Sequence, residues 1–256
     1  MRNSVRIVAA TVIVAAVGLH AQQNFVPKKP TDADWAAVAK LPDFTGVWEA
    51  SFGGPAGRGG GGRGRAGGAP AFPAGPQLTA AYAEKRRANQ AKGAEDSQTA
   101  NCLPPGMPGI MGQPYPMEFL LTPGLVTIVI EAYSQVRHIY TDGRPLPDDP
   151  DPKFFGTSIG RWDGGTLVVE TRGFRDNLWI DTWGSPMSDA GKMTEKFRRP
   201  NFGTLEIELT IDDPKVYTRP FTVNLTQNLE ADTELVDEFC LEGEKDYERL
   251  QRSRGK

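Results

Sequence analysis

The sequence TLEIELTI, residues 204–211, alternates apolar and polar side chains over its whole length. Its four aliphatic residues fall on one face of an extended chain, and the polar residues fall on the other. This period of two is typical of a β-strand with one face in a core and the other in water. The same pattern returns in FTVNLT, residues 221–226. Two strands with one solvent-exposed face each therefore indicate a largely antiparallel sheet.

Short β-rich segments separated by turn residues extend outward from these strands. Pro123-Gly124, Asp142-Gly143 and Asp163-Gly164-Gly165 are turn signals between them. Connections this short permit antiparallel neighbours and leave no room for crossover helices. The sequence therefore predicts an all-β fold, an antiparallel meander closed into a lipocalin-like barrel, with a sandwich as the alternative. These signals predict about nine or ten strands. The predicted strands are Phe44–Phe52, Met117–Thr122, Leu125–Ala132, Val136–Tyr140, Arg161–Trp162, Thr166–Thr171, Lys192–Arg199, Thr204–Ile211, Val216–Leu229 and Glu234–Leu241.

The first 21 residues have the pattern of a secretory signal peptide. Arg2 and Arg6 precede an apolar run, Ile7–Gly18, that is too short to span a bilayer, and Ala21 supplies a small residue at the cleavage point. We therefore expect a periplasmic or secreted protein with no integral membrane segment after signal cleavage.

The rest of the chain divides by composition. A run of Gly, Arg, Ala and Pro is predicted to be a disordered insertion, because it has almost nothing to bury. A segment rich in Ala, Glu, Lys and Arg, Leu78–Lys92, is predicted to be a short helix before the main sheet. The predicted organisation is residues 1–21 signal peptide, 22–43 N-terminal extension with a helical segment at Asp32–Lys40, 44–52 first strand, 53–76 insertion, 77–93 helix, and 101–250 main β domain together with 44–52.

Charge argues against a polyanionic partner. The chain has 29 Lys and Arg residues against 32 Asp and Glu residues, and removal of Arg2 and Arg6 leaves 27 basic residues and a net charge of −5. A negative protein of this kind is not expected to bind nucleic acid. Its oligomeric state is not indicated by the sequence.

Cys102 and Cys240 are the only two cysteines of the chain. In an oxidising compartment they are expected to form one disulfide, although two buried thiols that never meet are the alternative. A bond between them would close a loop of 138 residues, which stabilises by roughly 4 to 5 kcal/mol on the chain-entropy model. Two thiols and one histidine after the signal peptide make a metal site improbable.

Two resemblances bear on the fold. Phe44-Thr45-Gly46-Val47-Trp48 resembles the Gly-x-Trp element with which lipocalin-like barrels begin. Further segments are similar to a family of secreted bacterial proteins that is itself uncharacterised, so the resemblance implies a family without a reaction. In that pattern, members often carry histidine where this chain has Thr157, Met187 and Lys192, which puts an inherited catalytic site in doubt. The segments are Asn101–Pro108, Arg137–Arg144, Asp149–Pro152 and Ser158–Trp162.

One candidate site has acid/base character. Val136, His138 and Tyr140 share a face of one strand, and Glu131 lies at the end of the strand before. A histidine beside a carboxylate suits proton transfer near neutral pH, with Arg137 or Arg161 to steady negative charge. His138, Glu131 and Tyr140 are therefore candidate catalytic residues. The alternative is that His138 is a cross-strand or core hydrogen-bonding residue.

A second candidate site is a ligand pocket with aromatic walls and a few polar anchors. The alternative is that the charged residues among the candidates form ion pairs on an outer surface of the sheet. The candidate ligand-binding residues are Tyr133, Arg137, Arg161, Trp162, Glu170, Arg172, Trp179 and Asp181.

Familiar catalytic motifs do not occur. The sequence has no Gly-x-Ser-x-Gly elbow, no His-Glu-x-x-His and no phosphate-binding glycine loop. Three functions remain. The first is a lipocalin-like protein that binds a small, partly apolar molecule within or at the mouth of the barrel. The alternatives are an acid/base lyase, hydratase or isomerase that needs no cofactor, and an interaction or structural module whose loops contact another component of the cell envelope.

Overall fold

The computed structural model describes residues 29–51, 77–91, 98–181 and 184–240. The predicted signal peptide, the Gly/Arg-rich insertion at 53–76 and the last residues of the predicted β domain lie outside these ranges.

Two helices flank the first strand. Helix α1, Asp32–Val38, begins with a capping box, because the Asp34 carboxylate accepts the Thr31 backbone N–H at 2.8 Å and the Thr31 hydroxyl accepts the Asp34 N–H. Helix α2, Ala80–Ala91, is anchored at its start by the Thr79 hydroxyl, which donates to the carbonyl oxygen of Lys215 at 2.9 Å. α2 is the predicted short helix before the main sheet.

Nine strands of the described chain close into a barrel, which confirms the predicted all-β fold. Around the ring the order is β1-β2-β3-β4-β5-β6-β9-β10-β11 and back to β1. All neighbours are antiparallel except β4 and β5, which pair in parallel over Ile139–Ser158 and Tyr140–Ile159. Strands β7 and β8 form a separate small ribbon between β6 and β9. The strands are β1 Gly46–Ala50, β2 Met117–Thr122, β3 Leu125–Ile130, β4 Gln135–Tyr140, β5 Thr157–Asp163, β6 Thr166–Arg172, β7 Leu178–Trp179, β8 Pro186–Met187, β9 Lys192–Asn201, β10 Thr204–Asp212 and β11 Phe221–Leu229.

Two strand predictions are wrong in part. The predicted strand Val216–Leu229 begins only at Phe221, because Pro220 has no N–H to donate to a ladder and residues 213–217 form a hydrogen-bonded turn. Residues 234–240, expected to be a strand, have no ladder partner in the described chain. That segment is held by side chains instead, since the Glu131 carboxylate accepts the Val236 N–H at 3.0 Å and the Ser134 hydroxyl donates to the Glu238 carbonyl at 2.9 Å.

The barrel interior is a packed core. Phe119 on β2 and Phe197 on β9 are both fully buried, and their ring centroids are 5.9 Å apart in an edge-to-face contact. β2 and β9 lie on opposite sides of the ring, so this contact spans the interior. Leu205, Ile207 and Leu209, from the segment with the clearest alternation, are at most 1% exposed.

One disulfide ties the C-terminal segment to the barrel. Cys102 and Cys240 are bonded, as the sequence predicts, and the bond closes a loop of 138 residues. Among the described residues, no helix is both long enough and apolar enough to cross a membrane.

Candidate functional site: a groove between β4 and β5

A groove of about 390 Å³ opens where strands β4 and β5 separate. We call it the β4–β5 groove. Residues from both faces of β4 line it, so the groove cuts into the wall of the barrel and does not merely lie on its surface. Its lining consists of Gln135, Val136, Arg137, His138, Tyr140, Pro152, Lys153, Phe154, Phe155, Gly156, Thr157, Ser158 and Arg175.

The groove exists because β4 and β5 are parallel. A hairpin cannot join parallel strands, so the chain needs a long connection here, residues 141–156. The end of that connection is fixed against the segment after β6: the Lys153 N–H donates to the Gly173 carbonyl at 2.9 Å, and the Arg175 N–H donates to the Lys153 carbonyl at 3.0 Å. The connection thus forms one wall of the groove.

Gly156 allows the connection to pass close to Thr171 and Arg172 of β6 as it enters β5. Its φ is +65°, and a Cβ there would lie 2.7 Å from Thr171 Cγ2 and 2.8 Å from the Arg172 carbonyl oxygen. Only glycine fits this backbone conformation and this space without strain.

Arg137 at the floor of the groove forms a buried ion pair with Glu195, a residue that does not itself line the groove. Arg137 is 2% exposed and Glu195 is fully buried. Arg137 Nη1 donates to Glu195 Oε1 at 2.9 Å, and Nη2 donates to Glu195 Oε2. The same Nη2 lies 3.1 Å from Ser158 Oγ and 3.2 Å from Thr171 Oγ1, and these two hydroxyls are 2.9 Å apart. The arginine therefore reaches from β4 across β5 and β6 to β9, and its charge is neutralised inside the barrel.

One donor of this arginine is left over. Arg137 Nε is buried and has no hydrogen-bond acceptor among the described residues. A buried N–H without an acceptor is costly, and because this atom is not accessible, an acceptor could reach it only if the side chains around it moved.

The rim of the groove carries positive charge and apolar surface. The guanidinium of Arg175 lies over the Phe154 ring with its Cζ 4.9 Å from the ring centroid, and Lys153 Nζ donates to Thr157 Oγ1 at 3.3 Å. Val136, on the opposite wall, is 51% exposed. The lining contains no Asp or Glu. Neither Lys153 nor Arg175 forms an ion pair within the part of the chain that the structure describes.

The candidate catalytic residues are not brought together. His138 and Tyr140 both face outward on β4 and line the groove, with ring centroids 6.3 Å apart. Glu131 lies at the β3–β4 connection, where Ile130 pairs with Gln135, three residues and about 10 Å along β4 from His138. Its carboxylate accepts the Val236 N–H. Proton transfer between Glu131 and His138 would require a rearrangement of this end of the barrel.

Tyr140 is covered by a second arginine. The guanidinium carbon of Arg144 lies 3.7 Å from the centroid of the Tyr140 ring. Arg144 also bridges Asp142 with an Nη2–Oδ2 distance of 2.6 Å. Burial alone would raise the pKa of the Asp142 carboxyl, but hydrogen bonds from Arg144 outweigh it, and the pKa lies below its usual range. This pair fixes the end of β4 next to the groove.

The candidate ligand-binding residues are dispersed, and of the eight only Arg137 lines the groove. Tyr133 lies at the β3–β4 connection, where burial, and next the nearby Glu238 carboxylate, raise the pKa of its phenol. Arg161 is exposed and 3.8 Å from Asp163, while Trp162 lies against Phe44 with ring centroids 5.3 Å apart.

The remaining four of these candidates belong to two other parts of the molecule. Glu170 is exposed on β6, and Arg172 ends that strand in a half-buried position. Trp179 and Asp181 belong to the β7–β8 excursion, where the buried Asp181 carboxylate accepts the Ser185 N–H at 2.9 Å. These side chains lie in separate regions and do not line the groove.

The three positions at which the resemblance implies histidine also differ in location and in exposure. Thr157 lines the groove, Met187 is buried in β8, and Lys192 is exposed at the start of β9. Among the described residues, no three His, Cys, Asp or Glu side chains group as a metal site would require.

No protein-family model and no curated protein matches this chain.

Lys153, Phe154 and Arg175 were not among the residues that the sequence singled out. Lys153 and Phe154 follow the acidic, proline-rich stretch at residues 148–152, which reads as an exposed turn. Arg175 is brought to the groove by the hydrogen bonds of Lys153 and Gly173, and sequence spacing does not reveal that pairing.

Proposed function

We propose that this protein is a secreted or periplasmic, lipocalin-like barrel that binds a small, partly apolar molecule in the β4–β5 groove. The observation that carries the proposal is the makeup of the groove, in which aromatic and aliphatic walls surround a few fixed polar donors. Its volume of about 390 Å³ is near the lower end of ligand pockets in proteins, which favours a small ligand.

The barrel interior is the less favoured place for the ligand. Phe119 and Phe197 meet across it, and the Arg137–Glu195 pair occupies another part of it. A guest at the centre would have to displace these side chains, at a cost in packing and in charge desolvation. The groove lies at the wall and needs no such displacement.

The proposed location outside the cytoplasm is supported by the Cys102–Cys240 disulfide, because such bonds persist in oxidising compartments. The acid/base alternative has no specific support, since Glu131 and His138 lie toward different ends of β4.

The proposal is tested by NMR with ¹⁵N-labelled protein and a library of small aromatic and aliphatic fragments. We expect binding fragments to shift the amide signals of His138, Gly156 and Ser158. Native mass spectrometry of freshly purified protein would in addition reveal a retained small molecule.

A blocking variant and a matched control make the test specific. Val136→Trp places a large ring on an exposed wall position and should weaken fragment binding at least about tenfold, the equivalent of 1.4 kcal/mol. Leu120→Trp places the same ring on an exposed position of β2, which is two strands from β4 on the side away from β5. Fragments that bind Val136→Trp as well as they bind the wild type, or that shift only amides elsewhere, would contradict the proposal.

A further inference from the structure

We infer that the ligand of the β4–β5 groove is an organic monoanion of the carboxylate type, with its charged group between Lys153 and Arg175 and its apolar part against Phe154 and Val136. This inference rests on the proposed function and narrows the chemical class of the ligand.

Two cations line the rim, on segments that are hydrogen-bonded to each other. The backbone hydrogen bonds from Lys153 to Gly173 and from Arg175 to Lys153, at 2.9 and 3.0 Å, hold these two segments in register. Neither cation has an ion-pair partner among the described residues, so an anion placed between them would be attracted by both. Asp151 and Asp176, the acidic residues next to this pair in sequence, are exposed and do not belong to the lining.

The edge of β4 adds backbone donors. The Thr141 N–H donates to the Gly124 carbonyl at 2.8 Å, so Thr141 and every second residue before it exchange hydrogen bonds with β3. Val136 and His138 are the residues in between, and their backbone N–H and C=O groups point toward β5. Pairing with β5 begins only at Ile139, so the His138 N–H is directed at the groove.

The floor adds no net charge, because Glu195 neutralises Arg137. A carboxylate has two oxygens, which can accept from the rim cations and from the His138 N–H at the same time. A neutral alcohol or amide of the same shape cannot compensate the two rim charges.

The walls argue for an organic anion and against inorganic phosphate. Phe155 is 8% exposed, the Phe154 ring carries the Arg175 guanidinium, and Val136 is half exposed on the facing wall. A purely polar ion would leave this apolar surface in water, whereas a hydrocarbon or aromatic group beside the carboxylate would cover it.

The experiment compares 3-phenylpropanoate with 3-phenylpropanamide, which have the same shape and differ in charge, by NMR titration at low ionic strength. We expect the carboxylate to bind about tenfold more tightly and its affinity to fall with added NaCl, while the affinity of the amide stays constant. Lys153→Gln and Arg175→Gln should each weaken carboxylate binding about three- to fivefold, which is the effect of one exposed charge, and leave amide binding unchanged.

Arg161→Gln is the matched control, since Arg161 is an exposed cation on β5 that does not line the groove. It should leave both affinities unchanged, and an equal loss in this variant would overturn the inference by showing a general charge effect. Equal affinity of carboxylate and amide at the groove amides would also overturn it, while the proposed function would stand. Inorganic phosphate that binds as tightly as 3-phenylpropanoate would likewise overturn it. If neither organic probe shifts the groove amides at millimolar concentration while other neutral fragments of the library do, the inference is overturned and the proposed function stands; if no fragment does, the proposed function itself fails.

Discussion

The buried pair of Arg137 and Glu195 should dominate the response of this fold to mutation. Removal of one partner leaves the other as an uncompensated buried charge, which costs about 3 to 5 kcal/mol. For a domain of this size that corresponds to a drop in Tm of about 6 to 20 °C. We therefore expect Arg137→Met and Glu195→Leu each to be strongly destabilised, or to fail to fold at 37 °C.

The double variant should recover most of this loss. Met and Leu fill similar volumes without charge, and replacement of a buried pair by apolar residues is often neutral or stabilising. Ser158 and Thr171, which now bond Arg137, keep each other as partners at 2.9 Å, so the substitution leaves neither hydroxyl unsatisfied. The coupling between the two positions should thus be several kcal/mol.

The two single variants should differ in their response to pH. In Arg137→Met the buried carboxyl can take up a proton and lose its charge, whereas the guanidinium left in Glu195→Leu cannot be deprotonated. The deficit of Arg137→Met relative to wild type should therefore shrink between pH 8 and pH 5, and that of Glu195→Leu should not.

Urea denaturation followed by tryptophan fluorescence measures these differences, with unchanged m-values as the condition for comparison. The exposed pair Arg198 and Glu206, bridged between β9 and β10 at 2.5 Å, takes the same substitutions as a control and should lose less than about 1 kcal/mol. If Glu195→Leu costs as little as Glu206→Leu, or if the single losses simply add in the double variant, the reasoning is refuted.

Three further outcomes are expected from the same denaturation measurements. Gly156→Ala should lose about 1 to 3 kcal/mol more than Gly143→Ala, because both have positive φ but only the Cβ at Gly156 would meet other atoms, the nearest at 2.7 Å; equal losses would show that the contact is absent. Burial raises the pKa of Tyr217, so its phenol ionises at lower pH in the unfolded state than in the folded state. The contribution of this residue to the free energy of unfolding should be constant below about pH 10 and should fall above it by up to about 1.4 kcal/mol per pH unit. Tyr217→Phe should reduce that slope. Reduction of the Cys102–Cys240 bond should cost up to about 5 kcal/mol, and a reductant that leaves the wild-type unfolding curve in place would contradict the loop-entropy reasoning.

The barrel could be predicted because its strands bury one face each. The alternation in residues 204–211 requires a strand with a dry side and a wet side, and β10, Thr204–Asp212, confirms it. Strand boundaries were also predicted correctly where turn residues flank a strand, as at Met117–Thr122. The strand prediction was wrong for residues 216–220, where apolar residues pack into the core without a ladder partner. It was also wrong for residues 234–240, where apolar residues lie exposed without a ladder partner.

The candidate site was predicted less well, because neighbours on a strand face opposite ways. The sequence placed His138 on a common face with Val136, but which face is inside depends on the whole barrel. Arg137 lies inward in a buried ion pair, one residue from an exposed histidine. A signal for its partner was present: Glu195 stands between Met193 and Phe197 on the apolar face of β9, and a carboxylate in such a row needs a buried cation.

The position of the groove follows from the number of strands. When consecutive strands alternate in direction around a closed ring, an even number closes with every pair antiparallel, and an odd number leaves one parallel pair. This barrel has nine strands, and β4–β5 is that pair. Parallel neighbours cannot share a tight turn, so the ladder is short there, the connection is long, and its residues form a wall beside an open strand edge. The same constraint that interrupts the meander therefore creates the concave surface on which Lys153, Arg175 and the floor arginine meet.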